Sequence, residues 1–505
     1  MNRNHSLSLG NKGNILLGIY ILLCLGITIN MSFLITDTPL TGDAAQNFRL
    51  AYNKYKYGIL STDGENKEAT LTHSNYREPL PPYVTALFMA VHPQVNKSQS
   101  YLSFKEGRNT IYVKQVNLFW IMALLLAAGG FTYAVTKSYS GVLLVYALTV
   151  VYFIRFGNHF DDLNTELPAA LFILLTSWLL MEAVKKRRNA LYFLSGVSMG
   201  MLILVKAIFL YISPFLLIYL IFLHAQSRGK KMPLIRFRET IFVFSGICMI
   251  ILPWMIRNKI HLGNFEVTQR GGIVLHYRAI HNQMTGDEIK GALHFYGPET
   301  YKAFSTLLLG IHEKDFEEEG VYRRLNRSHE ADRETSDLGN PEDAISFYAY
   351  TRAERRRLMN KYSEMEIDSP FRAAEKDLSA EAKELILQNP VKHVLMTAVF
   401  LWRGTWCFPN STIPIVGNTL QIFINNTVNF LAFFSFLLLL IIAYRTKDRA
   451  LPLMILLPVL MILLQAFVSH NIPRYSVPAI PISFVCLIWV GQYLLQNVNV
   501  KKSSS

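Results

Sequence analysis

ALYFLSGVSMGMLILVKAIFLYISPFLLIYLIFLHA, residues 190–225, carries a single full charge, Lys206. A helix crosses the ~30 Å hydrocarbon core with ~20 apolar residues, so this run is too long for one crossing and reads as two spans that part at Lys206. Inside lipid, every backbone N–H and C=O must be satisfied within the segment, and for separate apolar runs only helices achieve that. The expected fold class is therefore an all-α polytopic membrane protein.

Runs of the same kind occur on both sides, at 14–35, 113–136, 139–156, 164–184, 239–256, 420–444, 450–468 and 475–496. With the pair 190–205 and 207–225 they make about ten spans. Of the 505 residues, 51% are hydrophobic and mean hydropathy is +0.23. Apolar residues gather in long runs, unlike the periodic scatter of a soluble chain. The net charge of +14 does not point to nucleic acid, because the cations sit in short clusters beside the apolar runs, as topology and anionic lipid require. Cys24, Cys248, Cys407 and Cys486 lie in or beside apolar segments without metal spacing and read as packing residues. The first run is long and lacks a small-residue cleavage site, so it is expected to remain as an anchor. No internal repeat is visible.

Short-loop lysines and arginines stay cytoplasmic. The clusters Lys185-Lys186-Arg187-Arg188, Arg228 to Arg238, Arg445 to Arg449 and Lys501-Lys502 all fall inside if both termini are inside and ten spans exist. Residues 391–407 are apolar but short and carry Lys392, His393 and Arg403, so they read as an interfacial or re-entrant helix. The expected organisation is a transmembrane module at 1–256 with a first external loop at 36–112, and an external segment at 257–390, helical after Pro341. An interfacial segment at 391–419 and C-terminal spans with a cytoplasmic tail at 420–505 complete it.

Chemistry-bearing residues collect on the outer side of this topology. Asp43 follows the first span, and Ala45, Phe48, Tyr52, Tyr55 and Ile59 then recur at helical spacing, which predicts a helix lying in the interface with its apolar side down. Asp43 and Gln46 have capping-box spacing. A helix N-terminus also favours the ionised carboxylate that a general base requires, so capping and catalysis are compatible. Arg77-Glu78-Pro79-Leu80-Pro81-Pro82-Tyr83 reads as the start of a second short helix, in which proline at the first position needs no functional reason. Arg77 could hold a phosphate, or merely neutralise Glu78 or a lipid headgroup.

Asp161, Asp162 and Glu166 with His159 crowd the mouth of another span. They could be helix-dipole partners, and as a metal set they lack fixed spacing. Lys206, Arg257 and Arg474 stand at outer ends of spans, against the usual charge bias, and each calls for an anionic partner.

In order, an acid after the first span, Arg77-Glu78-Pro79-Leu80-Pro81-Pro82-Tyr83, Thr165-Glu166-Leu167-Pro168, Pro253-Trp254 through Arg257-Asn258 followed by Gly271-Gly272, and His470 to Arg474-Tyr475 make the chain resemble the GT-C glycosyltransferases that use polyprenyl-phosphate sugars. That group contains protein O-mannosyltransferases and the lipid A aminoarabinose transferase. The resemblance covers ~14–280 and ~420–496. It implies a GT-C-like bundle, Asp43 as catalytic residue with Glu78 and Glu166 as further acids, and Arg77, Lys206, Arg257 and Arg474 as holders of the donor phosphate. It implies inverting transfer from a polyprenyl-phosphate sugar to a hydroxyl of a glycan, lipid or protein acceptor at the external face of the membrane. The spare loops give the expected location as a bacterial inner membrane, with the site on its periplasmic face. No cofactor is required, and a divalent metal is unsupported. Gly271-Gly272 lacks the spacing of a nucleotide phosphate loop, in keeping with a lipid-linked donor. The alternatives are a polymerase or ligase of lipid-linked glycans and a flippase, although a transporter usually carries ionisable groups within its spans.

Overall fold

The structure, a computed structural model, describes residues 6–64, 71–155, 160–226, 235–367, 369–408 and 418–504. Those residues form helices and no strand. The main elements are α1 (Ser6–Met31), α2 (Gly42–Tyr57), α3 (Leu80–Val91), α4 (Val116–Thr136), α5 (Tyr139–Arg155), α6 (Glu166–Lys186), α7 (Asn189–Val205), α8 (Ile208–Ala225) and α9 (Phe237–Leu262). After them come α10 (Gly272–Ile280), α11 (Gly286–Phe295), α12 (Phe347–Glu364), α13 (Pro370–Gln388), α14 (Pro390–Thr405), α15 (Asn418–Thr446), α16 (Leu456–Val468) and α17 (Ile480–Ser504).

Among the described residues, seven helical segments are long and apolar enough to cross a membrane: Gly13–Leu34, Thr110–Thr136, Glu166–Lys186, Ile208–Ala225, Phe237–Leu262, Leu420–Thr446 and Pro473–Asn497. The other three expected spans coincide with the shorter apolar helices α5, α7 and α16. The protein is thus a polytopic all-α membrane protein. The chain does part at Lys206, which leaves α7 in an extended conformation (φ −142°, ψ 109°) before α8 begins. Helix α14 is not among the seven segments.

With lipid on one side and apolar helix on the other, packing rather than hydrophobicity drives helix association, and small residues let backbones approach. Gly196 and Gly200 on α7 supply that surface against Gly246 on α9. A Cβ at Gly196 would stand 2.1 Å from the Val243 carbonyl oxygen, one at Gly200 2.7 Å from Ile250 Cβ, and one at Gly246 2.3 Å from the Phe193 carbonyl oxygen. Gly196→Leu is therefore expected to force α7 and α9 apart, at a cost of about 1–3 kcal/mol or more. A lower melting temperature in detergent would register this; an unchanged melting curve would contradict the close crossing.

Helix α2 departs from the interfacial expectation. Its apolar side is covered by protein, since Phe48 stacks on Tyr101 at 5.5 Å and packs on Phe104, and Ala44, Phe48 and Tyr52 share a buried cluster with Met89 of α3. Aromatic rings in the short helix Tyr101–Lys105 after α3 supply the cover that periodicity in α2 alone would assign to lipid.

The segment after α9 is helical after Pro341, as expected, and also before it, from Gly272 onward, and α10 lies against α12 and α13. Arg278 of α10 is fully buried and donates to the carbonyls of Ala466 (3.0 Å) and His393 (2.6 Å). These bonds tie the segment to α14 and α16.

Candidate active site

Asp43 lies in the first turn of α2, behind Thr41, whose side chain makes no cap. The capping box expected of Asp43 and Gln46 does not form. Gln46 Oε1 instead accepts from Arg77 Nε (2.9 Å) and Nη2 (2.6 Å). Arg77 also donates to Asp43 Oδ1, Arg474 donates to Asp43 Oδ2, and Arg270 Nη1 lies 3.4 Å from Oδ1. Three guanidinium groups thus converge on one carboxylate that is 25% exposed.

Each arginine comes from a different element. Arg77 sits just ahead of α3, on a segment pinned by the Gln269 N–H to the Asn75 carbonyl (3.2 Å). Arg270 precedes α10, and its guanidinium lies 5.6 Å from the centre of the Tyr76 ring, which Arg77 also approaches. The backbone there must come close to α13, because a Cβ on Gly272 would stand 1.9 Å from the Glu375 carbonyl oxygen. Arg474 projects from the 3-10 turn Pro473–Ala479 at the head of the last span.

A second carboxylate extends the cluster. Glu166, the first residue of α6, is fully buried, with Oε1 3.2 Å from Arg474 Nε and 3.3 Å from Lys206 Nζ. Lys206 is 9% exposed and lies 5.8 Å from the Tyr475 ring centre, and Glu166 is the anionic partner its position calls for. Of the residues singled out in the sequence, Asp43, Arg77, Glu166, Lys206 and Arg474 come together.

The other candidates do not join these contacts. Among the described residues Glu78 makes no ion pair within 4 Å, although its charge helps hold Arg270 protonated; its Oε1 accepts the Ala207 N–H (3.1 Å) at the start of α8. Arg257 lies within α9, which runs on to Leu262, and donates to the Ser74 carbonyl (3.2 Å) and contacts His73 Nδ1 (2.8 Å). It braces the segment leading to Arg77. Asp161 is bound by Thr36, Thr38 and Lys114, and Asp162 by the Leu163 N–H and Asn164. Among the described residues no group of acids, histidines and cysteines could hold a metal ion, and His159 lies outside them. Arg270 went unnamed in the sequence reading. Its signal was a cation directly before Gly271-Gly272, in a motif already noted.

Burial by itself raises the Asp43 pKa, but the charges of Arg77, Arg474 and Arg270, with the Arg474 hydrogen bond, hold the carboxyl well below the usual carboxylate range. Asp43 is thus anionic at neutral pH and becomes a competent proton acceptor only when something else engages the arginines. A phosphate would do so, because planar guanidinium forks match its oxygens.

Residues 106–256 match the family model of dolichyl-phosphate-mannose-protein mannosyltransferase. The matched stretch contains Glu166 and Lys206 and ends before Arg257. With the polytopic helical fold, the match supports a membrane glycosyltransferase of the GT-C type. The chain also aligns with the solved oligosaccharyltransferase of Archaeoglobus fulgidus, tethered with an acceptor peptide containing the NVT sequon, at 11% identity and a TM-score of 0.47. That alignment covers 97% of this chain and 51% of the archaeal one, so this chain spans about half its length. No curated protein matches the chain.

Proposed function

We propose that the chain transfers a sugar from a polyprenyl-phosphate donor to an acceptor hydroxyl, with inversion, at the external face of the membrane. The observation that carries this reading is the convergence of Arg77, Arg270 and Arg474 on Asp43. The donor is a phosphodiester with one negative charge, and the departing polyprenyl phosphate gains another. As the acceptor oxygen attacks the anomeric carbon, Asp43 takes its proton and loses its own charge. The arginines that Asp43 had neutralised then serve the phosphate, so the charge of the cluster with its ligand stays constant through the step. Glu166 holds Arg474 and Lys206 in register, and Glu78 fixes the start of α8 beside Lys206. Acceptors are glycans, lipids or proteins.

The test is purified protein in proteoliposomes supplied with a radiolabelled polyprenyl-phosphate hexose and membrane extract as acceptor source. The expected result is extract-dependent release of polyprenyl phosphate with label in a product. Turnover only of a diphosphate-linked oligosaccharide would indicate a ligase instead, and lipid crossing without release a flippase.

The same assay gives a pH profile. A carboxylate with a depressed folded pKa contributes its ion-pair stability above its unfolded value near 4 and loses it as pH falls through the folded value. Hence kcat/KM, which reports the free protein, is expected to show no limb from Asp43 above about pH 5. A limb near neutrality that vanishes in Asp43→Asn would contradict the three-arginine environment.

A further inference from the structure

A second cationic cluster lies next to the first, across Tyr475. The His470 ring is 5.8 Å from Tyr475, the same ring that Lys206 approaches. His470 lines a small cavity with Tyr277, Arg324, Arg327, Tyr348 and Arg403. Arg403 Nη1 donates to the His470 carbonyl (3.2 Å), and its guanidinium stacks over Tyr296 at 4.1 Å. Arg324 stacks over Phe347 at 4.1 Å, and Arg327 lies 5.7 Å from the Tyr348 ring centre. Among the described residues the carboxylate that meets these arginines is Glu288, 3.5 Å from Arg324.

Two guanidinium charges are left facing aromatic rings: Arg403, partly buried, where a cation without a counter-ion is costly, and Arg327, exposed at the rim. The His470 side chain points to the same need. It is 7% exposed and its Nδ1 has no hydrogen-bond partner. Burial and Arg403 press its pKa far down, so the ring is neutral and one nitrogen can donate to an anion. Two unmatched guanidinium charges equal the charge of a phosphate monoester, and arginine forks suit its oxygens.

We infer that this cavity binds a phosphate group carried by the acceptor and so presents the acceptor hydroxyl to Asp43. The inference rests on the Asp43 cluster being the transfer site. It is tested by equilibrium binding of radiolabelled inorganic phosphate to the full chain in detergent, and of phosphatidic acid against phosphatidylcholine in nanodiscs. Arg403→Gln and the rim variant Arg327→Gln are each expected to weaken the cavity's binding at least tenfold, while Arg474→Gln leaves it in place. Size-exclusion profiles check folding, and Arg327→Gln decides the matter if Arg403→Gln does not fold. Binding of free phosphate alone supports a soluble phosphorylated acceptor, and binding of phosphatidic acid alone a lipid-borne one. The inference is overturned if wild type binds neither probe, or if only Arg474→Gln removes binding. In the last case the donor site stands and the acceptor site falls.

Discussion

Replacing Asp43 by Asn is expected to lower transfer by about 10²–10⁴-fold, the range a positioned general base contributes, without weakening the donor. The amide keeps the shape of the carboxylate, but Arg77 and Arg474 bind different oxygens of Asp43 and its single oxygen can accept from only one of them; α2 stays docked through its buried Ala44, Phe48 and Tyr52. What it loses is the ability to take a proton and the charge that competes with phosphate for three arginines. Donor affinity should therefore stay level or tighten while kcat collapses. That split separates a base from a scaffold residue, whose loss would raise the donor KM and lower the amount of folded protein. Wild-type turnover in Asp43→Asn would remove the carboxylate from the mechanism.

Arg474→Gln is expected to act on both parameters. Arg474 bridges Asp43 and the fully buried Glu166, so its loss withdraws a charge from the leaving phosphate and loosens the link between the two carboxylates. Removing one preorganised donor to developing charge typically costs about 10²–10³-fold in kcat, and the donor KM should rise as well. Arg474→Lys is expected to recover only part of this, because an ammonium cannot fork across two acids. A variant with normal donor KM and kcat would place the phosphate elsewhere.

Much of the bundle was legible because spans are long apolar runs whose length is set by the bilayer. Even the break at Lys206 could be read from one charge in an apolar stretch. The site was legible in part. Asp43, Arg77, Glu166, Lys206 and Arg474 each stand where a charge is costly or contrary to topology, and cost is visible in sequence. Arg270 was hidden because α9 runs past Arg257 to Leu262 before the chain turns back, and the bond from Gln269 to Asn75 that returns it to Arg77 is tertiary. The capping box failed for the same reason. Spacing within α2 cannot know that Arg77, 31 residues beyond Gln46, takes its carbonyl oxygen. Glu78 turns to the Ala207 N–H, a partner 129 residues away.

The central claim is that the three arginines around Asp43 are the seat of the donor phosphate. A cryo-EM structure of the protein in nanodiscs with polyprenyl phosphate bound tests it most directly. The expected density places the phosphate within hydrogen-bonding distance of at least two of Arg77, Arg270 and Arg474, with Asp43 released from the same groups. A phosphate bound elsewhere, with all three arginines still on Asp43, would contradict the account.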